Sequence, residues 1–214
     1  MTNASELTGL AAAIDCTLSI EAAERLLAYL DAMLDENRRI NLSGVREREP
    51  AVMFHALDSL AAGSAALGIE TRSCLDIGTG NGFPGVAVAC LFPDAEVTLM
   101  DRTLKKLKAI ERALEAAEIS TDRVRCEQLD AVEGRAHGHF RRYDLVTARA
   151  VGEPRAVGLL ARPLLRTGGN FLCWMSAEQR ATILAPRAYQ EPQYVEYDLP
   201  APAERRRVLA RYGR

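Results

Sequence analysis

The first third of the chain carries apolar residues at helical spacing. From Ala23 to Leu34 they recur every three or four positions, which places one apolar stripe along a helix. Ser19 fits the N-cap of this helix, and Pro50 fits the first position of a second helix beyond a polar connector. We therefore expect residues 1–70 to form a helical extension.

From Cys74 onward, short apolar runs alternate with longer amphipathic segments, which is the signature of a parallel sheet with crossover helices. We expect strands near 73–77, 95–101, 123–128, 142–149 and 169–175, and helices near 84–92, 103–118, 153–165 and 177–185. Two last strands, 193–199 and 206–211, are too close in sequence for a crossover and must pair antiparallel. Residues 71–214 are thus predicted to form a Rossmann-like α/β domain, with a mostly parallel seven-stranded sheet ending in an antiparallel hairpin.

Composition is that of an ordinary globular enzyme, with 48% hydrophobic and 26% charged residues among 214. The net charge of −2 excludes general binding of polyanions, so contact with nucleic acid has to come from a local patch. The candidates are the arginines between 38 and 48, the lysines between 105 and 108, the arginine pair at 141–142 and the arginine run at 205–207. Neither a secretory signal nor a membrane-spanning run is apparent, and the five cysteines are scattered, so we expect a cytoplasmic protein. His137-Gly138-His139 is interpreted as a solvated loop, and no metal site is expected.

Four glycines crowd the segment Asp76–Gly85, directly after a predicted strand and directly before a predicted helix. This order is typical of a nucleotide site, because glycine permits positive φ and lets a ligand approach bare backbone. Gly80-x-Gly82-x-x-Gly85 matches a dinucleotide fingerprint, whereas the longer string beginning at Asp76 matches S-adenosylmethionine sites. A dinucleotide fingerprint begins at the strand end, which here is Gly78, and Phe83 then stands where its third glycine is needed. This mismatch favours S-adenosylmethionine. A carboxylate at Asp76 also suits an ammonium group better than a pyrophosphate.

Other strand ends carry polar groups that would meet at the same edge of the sheet. Asp101 ends the second predicted strand, at a distance suited to gripping a ribose diol. Leu129 and Asp130 follow the third strand and could hold an adenine ring. Arg149 ends the fourth strand and would face either the cofactor carboxylate or a substrate phosphate.

As a set, these residues resemble the bacterial 16S ribosomal RNA guanine-N7 methyltransferase family, known as RsmG or GidB. The resemblance covers nearly the whole chain and includes Asn41-Leu42-Ser43, Arg46, His55-Ala56-Leu57-Asp58-Ser59, the glycine loop through Phe83-Pro84-Gly85, Asp101, and Arg149-Ala150. It implies a class I S-adenosylmethionine-dependent methyltransferase with an N-terminal helical extension. The implied reaction is methyl transfer to N7 of a guanine in 16S rRNA, with free rRNA or the small ribosomal subunit as partner and a monomer as the acting form.

The same resemblance assigns the site residue by residue. Together with the motif positions above, the cofactor would contact Asp76, Gly78, Gly80, Gly82, Phe83, Asp101, Leu129, Asp130 and Arg149. Asn41, Arg46, His55 and Asp58 would orient the target base from the extension, with no general base needed because guanine N7 has no proton to lose. The family's usual Lys-Gly is Met175-Ser176 in this chain. A class I methyltransferase acting on a different RNA or on a small molecule is the alternative.

Overall fold

The computed structural model describes residues 1–133, 135–182 and 189–214. Within these ranges, seven strands form one sheet in the order β3-β2-β1-β4-β5-β7-β6. The strands are β1 (Ser73–Ile77), β2 (Glu96–Asp101), β3 (Val124–Gln128), β4 (Tyr143–Arg149), β5 (Leu165–Ser176), β6 (Gln193–Leu199) and β7 (Arg205–Gly213). The first five pair in parallel, and β7 runs antiparallel to both β5 and β6. The predicted mixed sheet with its terminal hairpin is confirmed.

Helices flank the sheet on both faces. They are α1 (Ala4–Ala12), α2 (Ile20–Asn37), α3 (Arg48–Ala51), α4 (Asp58–Ala65), α5 (Gly85–Leu91), α6 (Leu104–Ala116), α7 (Pro154–Ala161) and α8 (Ala177–Thr182). One π-helical turn, Val52–Leu57, joins α3 to α4. Arg135–His139 forms a single irregular turn before β4.

Some helix boundaries differ from the predicted ones. The helix containing Pro50 begins at Arg48, which places the proline third in the first turn, where its missing N–H costs nothing. The helix expected over 153–165 already ends at Ala161, because Pro163 has no N–H to continue the helical hydrogen bonds. Residues 183–185 of the helix expected at 177–185 lie outside the described residues.

The interpretation of the His137–His139 segment as a solvated loop is wrong for one of its two histidines. His139 is only 2% exposed. Its Nδ1 lies 2.6 Å from the hydroxyl of Tyr143, and its Nε2 lies 2.9 Å from Oε1 of Glu127. His137 is exposed, as expected. Buried imidazole nitrogens need hydrogen-bond partners, and side chains of β3 and β4 supply them.

Apolar residues of the N-terminal helices pack on one face of the sheet. The stripe on α2, including Leu26, Leu30 and Met33, is fully buried and belongs to the same hydrophobic cluster as residues of α5 and α6. The opposite face of the sheet, with Ile77 and Phe171, packs against α7 in a second cluster. The helical segment is therefore built into the main core, and the proposed division of the chain near residue 70 stays a prediction.

One tyrosine connects the buried face of α2 to the glycine loop. Tyr29 of α2 is fully buried and donates a hydrogen bond from its hydroxyl to the carbonyl oxygen of Asn81, at 2.9 Å. Its ring lies edge-on to Phe83, with centroids 5.5 Å apart. Gly82 has φ +90°, and a Cβ at that position would lie 1.9 Å from the tyrosine hydroxyl oxygen. Glycine is thus required at this position both by the backbone angle and by the space that Tyr29 fills.

We expect Gly82→Ala to lower the free energy of unfolding by about 2–4 kcal/mol. Alanine is strained at a positive φ, and its Cβ would overlap the hydroxyl of Tyr29. Thermal and urea unfolding measure the change. Gly68→Ala is the matched control, since Gly68 has φ +75° but a Cβ added there would meet nothing within 4 Å. Equal losses in the two variants would contradict the role given to the Tyr29 contact.

Candidate active site

Two adjoining cavities lie beyond the carboxyl ends of the parallel strands, where open α/β sheets bind ligands. The strand-end cavity, of about 500 Å³, is lined by residues that include Asp101, Leu129, Asp130 and Val157. The helix-side cavity, of about 380 Å³, lies between the glycine loop, the N-terminal helices and the terminal hairpin. The two cavities share four lining residues: Gly78, Asp101, Lys106 and Ala150.

The glycine loop presents backbone to the helix-side cavity. Gly80 has φ +59°, and the nearest atom to a Cβ there would be the carbonyl oxygen of Gly78 at 3.7 Å. A ligand can therefore lie directly against the main chain at this position. Phe83 also lines the cavity, although it is only 3% exposed. Gly82 packs against Tyr29 and does not line either cavity.

Asp76 supports the loop from below. Its carboxylate is fully buried and accepts hydrogen bonds from the Thr147 hydroxyl, at 2.7 Å, and from the Gly85 N–H, at 3.1 Å. Burial raises the pKa of Asp76 to about 6, against these hydrogen bonds and the charge of Arg149. It lines neither cavity, so these contacts make it an anchor for the start of α5.

Asp101 is held in one orientation at the junction of the two cavities. Its Oδ1 accepts from the Thr103 N–H at 2.8 Å, and its Oδ2 accepts from the Gly80 N–H at 3.1 Å. Each carboxylate oxygen retains a further lone pair, so the group can still accept hydrogen bonds from a diol. Leu129 and Asp130 line the strand-end cavity, as their predicted role at the adenine end requires.

Asp58 is the centre of a buried ion cluster. Its Oδ1 accepts from the Tyr197 hydroxyl at 2.7 Å and from Nε of Arg207 at 2.9 Å. Its Oδ2 accepts from Arg149 at 3.1 Å and from Arg207 at 3.2 Å. Its backbone oxygen accepts from the indole of Trp174 at 2.7 Å. Since both carboxylate oxygens are engaged, Asp58 positions the two arginines instead of presenting a free acceptor.

His55 lies beside this cluster and lines the helix-side cavity. Its ring stacks on Phe83 with centroids 5.8 Å apart, and its Nε2 lies 2.8 Å from the Ser43 hydroxyl. Burial and the neighbouring cation of Arg149 lower the pKa of His55 to about 3. The imidazole is therefore neutral at physiological pH and a weak proton acceptor. Arg149 lies 3.5 Å from Nδ1 of His55 and 3.1 Å from Oδ2 of Asp58, so both side chains reach it.

The other two predicted substrate residues lie outside the cavities. Asn41 and Arg46 are exposed and contact each other, with 3.4 Å between Nη2 of Arg46 and Oδ1 of Asn41. Leu42 and Ser43, between them in sequence, do line the helix-side cavity. A role for Asn41 and Arg46 in substrate contact stays a prediction.

Phe54 lines the helix-side cavity and was missing from the sequence-based site. Lys106, Arg205 and Arg207 also line it, and the sequence predicted them only as candidates for contact with the RNA backbone. The period of a strand sharpens the prediction for the last two. Alternating residues of a strand point to the same face, so a basic run at 205–207 places its first and third arginines together. Nothing local to the sequence indicates that this face meets Asp58.

Two negative findings concern the described residues alone. They contain no group of three or more His, Cys, Asp or Glu side chains placed to hold a metal ion. They also contain no helix with both the length and the apolar character needed to cross a bilayer.

We expect Asp58→Ala to lower the free energy of unfolding by about 3–5 kcal/mol, because it leaves the largely buried guanidinium groups of Arg149 and Arg207 without their carboxylate. Urea denaturation measures this loss. Asp198→Ala, which removes an exposed carboxylate from β6, is the control and should change stability by about 0.5 kcal/mol or less. A similar, small effect of both substitutions would contradict the anchoring role of Asp58.

The lowered pKa of His55 predicts that the stability of the protein depends on pH. The unfolded state binds a proton at His55 below pH ~6.5, whereas the folded state binds it only near pH 3. The unfolded state therefore binds more protons in this window, and His55 lowers stability as the pH falls. The stability of the wild type relative to His55→Gln should drop by up to ~1.4 kcal/mol per pH unit between pH 6 and 4.5.

Comparing the wild type with His55→Gln cancels the opposite contribution of Asp76, whose raised pKa adds stability as the pH falls below about 6. Urea unfolding at several pH values measures the difference. His137→Gln, the same substitution at an exposed position, is the matched control. A gap between the wild type and His55→Gln that does not vary with pH would refute a neutral, buried His55.

Comparison with known proteins identifies the family to which this site belongs. The family model GidB, described as rRNA small subunit methyltransferase G, matches residues 22–208. The ribosomal RNA small subunit methyltransferase G of Symbiobacterium thermophilum is 37% identical over 186 residues, spanning 82% of this chain and 74% of that protein. Its counterpart in Leptothrix cholodnii is 36% identical over 177 residues, spanning 78% and 73%.

Solved structures share the fold at low sequence identity. A putative caffeoyl-CoA O-methyltransferase from Staphylococcus aureus superposes with a TM-score of 0.59 at 15% identity, covering 85% of this chain and all of that one. A predicted O-methyltransferase from Agrobacterium tumefaciens gives a TM-score of 0.57 at 20% identity, covering 74% and 79%. These structures support the class I methyltransferase fold, and the sequence relatives support the family. The chain belongs to the rRNA small subunit methyltransferase G (GidB) family.

Proposed function

We propose that this protein transfers the methyl group of S-adenosylmethionine to N7 of a guanine in small-subunit ribosomal RNA. The family and the class I fold imply the methyl donor, and the curated relatives carry the name of an rRNA small subunit methyltransferase. The observation that carries the choice of nucleophile is the lack of a competent general base among the described residues of the helix-side cavity.

The residues at the junction of the cavities fit the methyl donor. Bare backbone at Gly80 leaves room for a ligand against the loop, and Asp101 is held rigidly by two N–H groups while keeping free lone pairs. Leu129 and Asp130 provide an apolar side chain and an acceptor in the strand-end cavity. When bound, the cofactor supplies a methyl group on a sulfonium, which is a good leaving group.

The titratable groups of the helix-side cavity support an acceptor atom that has no proton to lose. His55 has a pKa of about 3, so it is a weak base near neutral pH. Both oxygens of Asp58 are engaged by arginines and Tyr197, and we assign the remaining lone pairs of Asp101 to the ribose of the cofactor. Guanine N7 offers an in-plane lone pair, whereas a hydroxyl or exocyclic amine would need a base to take its proton.

The protein's own contribution is then positioning. The stacked His55 and Phe83 rings and the Asp58 cluster form a rigid wall, against which a base can be held in line with the transferred methyl group. A cleft of this kind requires the guanine to be unstacked or presented from a loop, because the edge of a stacked base cannot enter it. A monomer acting in the cytoplasm is part of this proposal.

Mass spectrometry of rRNA nucleosides tests the function. Incubating small subunits or 16S rRNA from cells that lack the gene with the purified protein and S-adenosylmethionine should produce 7-methylguanosine. Asp101→Ala should abolish most transfer and weaken cofactor binding about 10–100-fold in calorimetry, because it removes charge-assisted hydrogen bonds. Asp94→Ala, at an exposed position just before the opposite end of the same strand, should bind the cofactor normally.

Two results would overturn the proposal in different ways. An unchanged 7-methylguanosine content in rRNA with and without the gene would remove the rRNA reaction. Methyl transfer to a fraction of small metabolites, with none to rRNA, would favour the alternative of a small-molecule methyltransferase on the same fold.

A further inference from the structure

The helix-side cavity contains more positive than negative charge. Two guanidinium groups, those of Arg149 and Arg207, share the single carboxylate of Asp58. The three side chains are 11%, 20% and 3% exposed, respectively, so water screens them only weakly. His55 does not add to this charge, because it is neutral. The buried cluster therefore keeps one positive charge in excess.

Two further cations line the same cavity. Within the described parts of the chain, neither Lys106 nor Arg205 has an acidic partner within 4.0 Å. The remaining acid that lines the cavity is Asp101, so the lining holds four cations against two carboxylates. Asp76, whose carboxylate feels the charge of Arg149 from beneath the loop, lines neither cavity and offsets at most one more. Glu178 lies within electrostatic range of Arg205, but it is exposed and outside the cavity. The surplus of positive charge thus extends from the cluster to the rim.

The methyl donor does not balance this surplus. S-adenosylmethionine carries two positive groups, the sulfonium and the ammonium, against one carboxylate. Binding it therefore adds positive charge to a site that already has too much. An anionic acceptor substrate compensates this charge, and the phosphodiester group is the anion that a nucleic acid brings with every nucleotide.

The geometry of β7 indicates which cation meets that anion. Arg205 lies at the rim, with its Cζ 5.6 Å from the centroid of the Phe54 ring, and this contact holds the guanidinium over the cavity. Arg207 follows on the same face of the strand and reaches Asp58. Arg206 points to the opposite face, where it donates to Oε2 of Glu196 at 2.7 Å.

We propose that Arg205, held over Phe54 and backed by the surplus charge of Arg207, binds the phosphodiester group adjoining the target guanine. This inference rests on the proposed function, since it assumes that the acceptor is RNA. Guanidinium groups suit this task because their fork of donors matches two phosphate oxygens. Arg205 is then a substrate-binding residue and makes no contact with the cofactor.

Arg205→Gln and Arg206→Gln form a matched pair, since they remove the same charge from adjacent positions on opposite faces of one strand. For Arg205→Gln we expect the KM for rRNA to rise about tenfold while the affinity for S-adenosylmethionine stays unchanged. The slope of log affinity against log salt concentration, measured by filter binding of 16S rRNA, should fall by about 1. Arg206→Gln should behave as the wild type, and Arg205→Lys should restore the salt slope.

The inference fails if Arg205→Gln and Arg206→Gln have equal rRNA affinities and salt slopes, or if Arg205→Gln weakens cofactor binding. Filter binding needs no methyl transfer, so the two proposals are tested apart. A wild type that methylates rRNA while the two variants bind alike would overturn this inference and leave the proposed function standing. A wild type that binds rRNA through Arg205 without methylating it would overturn the proposed function and, with it, the assignment of this phosphate to the neighbourhood of a target guanine.

Discussion

The carboxylate of Asp58 is the point on which the site depends. It connects the first residue of α4 to Arg149 at the end of β4, to Tyr197 on β6 and to Arg207 on β7. Burying a charge is costly unless partners and hydrogen bonds replace water, and here four donors do so. The N-terminal helices, the parallel sheet and the terminal hairpin thereby meet at one group, and the helix-side cavity is the space between them.

Hydrogen bonds from buried side chains also hold the glycine loop, on both of its sides. Asp76 holds it from below through the N–H of Gly85, and Tyr29 holds it from above through the carbonyl of Asn81. Asp101 adds a third constraint through the N–H of Gly80. A loop constrained in this way exists before any ligand binds, so little ordering entropy remains to be lost on binding.

The same packing decides what the cavity can do chemically. His55 is stacked and desolvated beside a guanidinium group, which keeps it neutral, and Asp58 has no free oxygen. Proton abstraction is thereby disfavoured, while positive charge is left over for an anionic substrate. On the proposed function, positioning of a lone-pair nucleophile and attraction of a polyanion would both follow from the one ion cluster.

Local patterns in the sequence determined the strands, most helices, the antiparallel hairpin, and the positions of Gly80, Asp101 and Leu129 at the cavities, because these depend on residues close together in the chain. Only the tertiary structure decided that Gly82 packs against Tyr29, that Asp76 is buried and bonds to Thr147 and the N–H of Gly85, and that Arg149 and Arg207 share Asp58. Arg207 lies 149 positions after Asp58, and no periodicity or motif spacing carries information over that separation. Charge balance in a buried site is a property of side chains brought together by packing, so it appears only when the fold is complete.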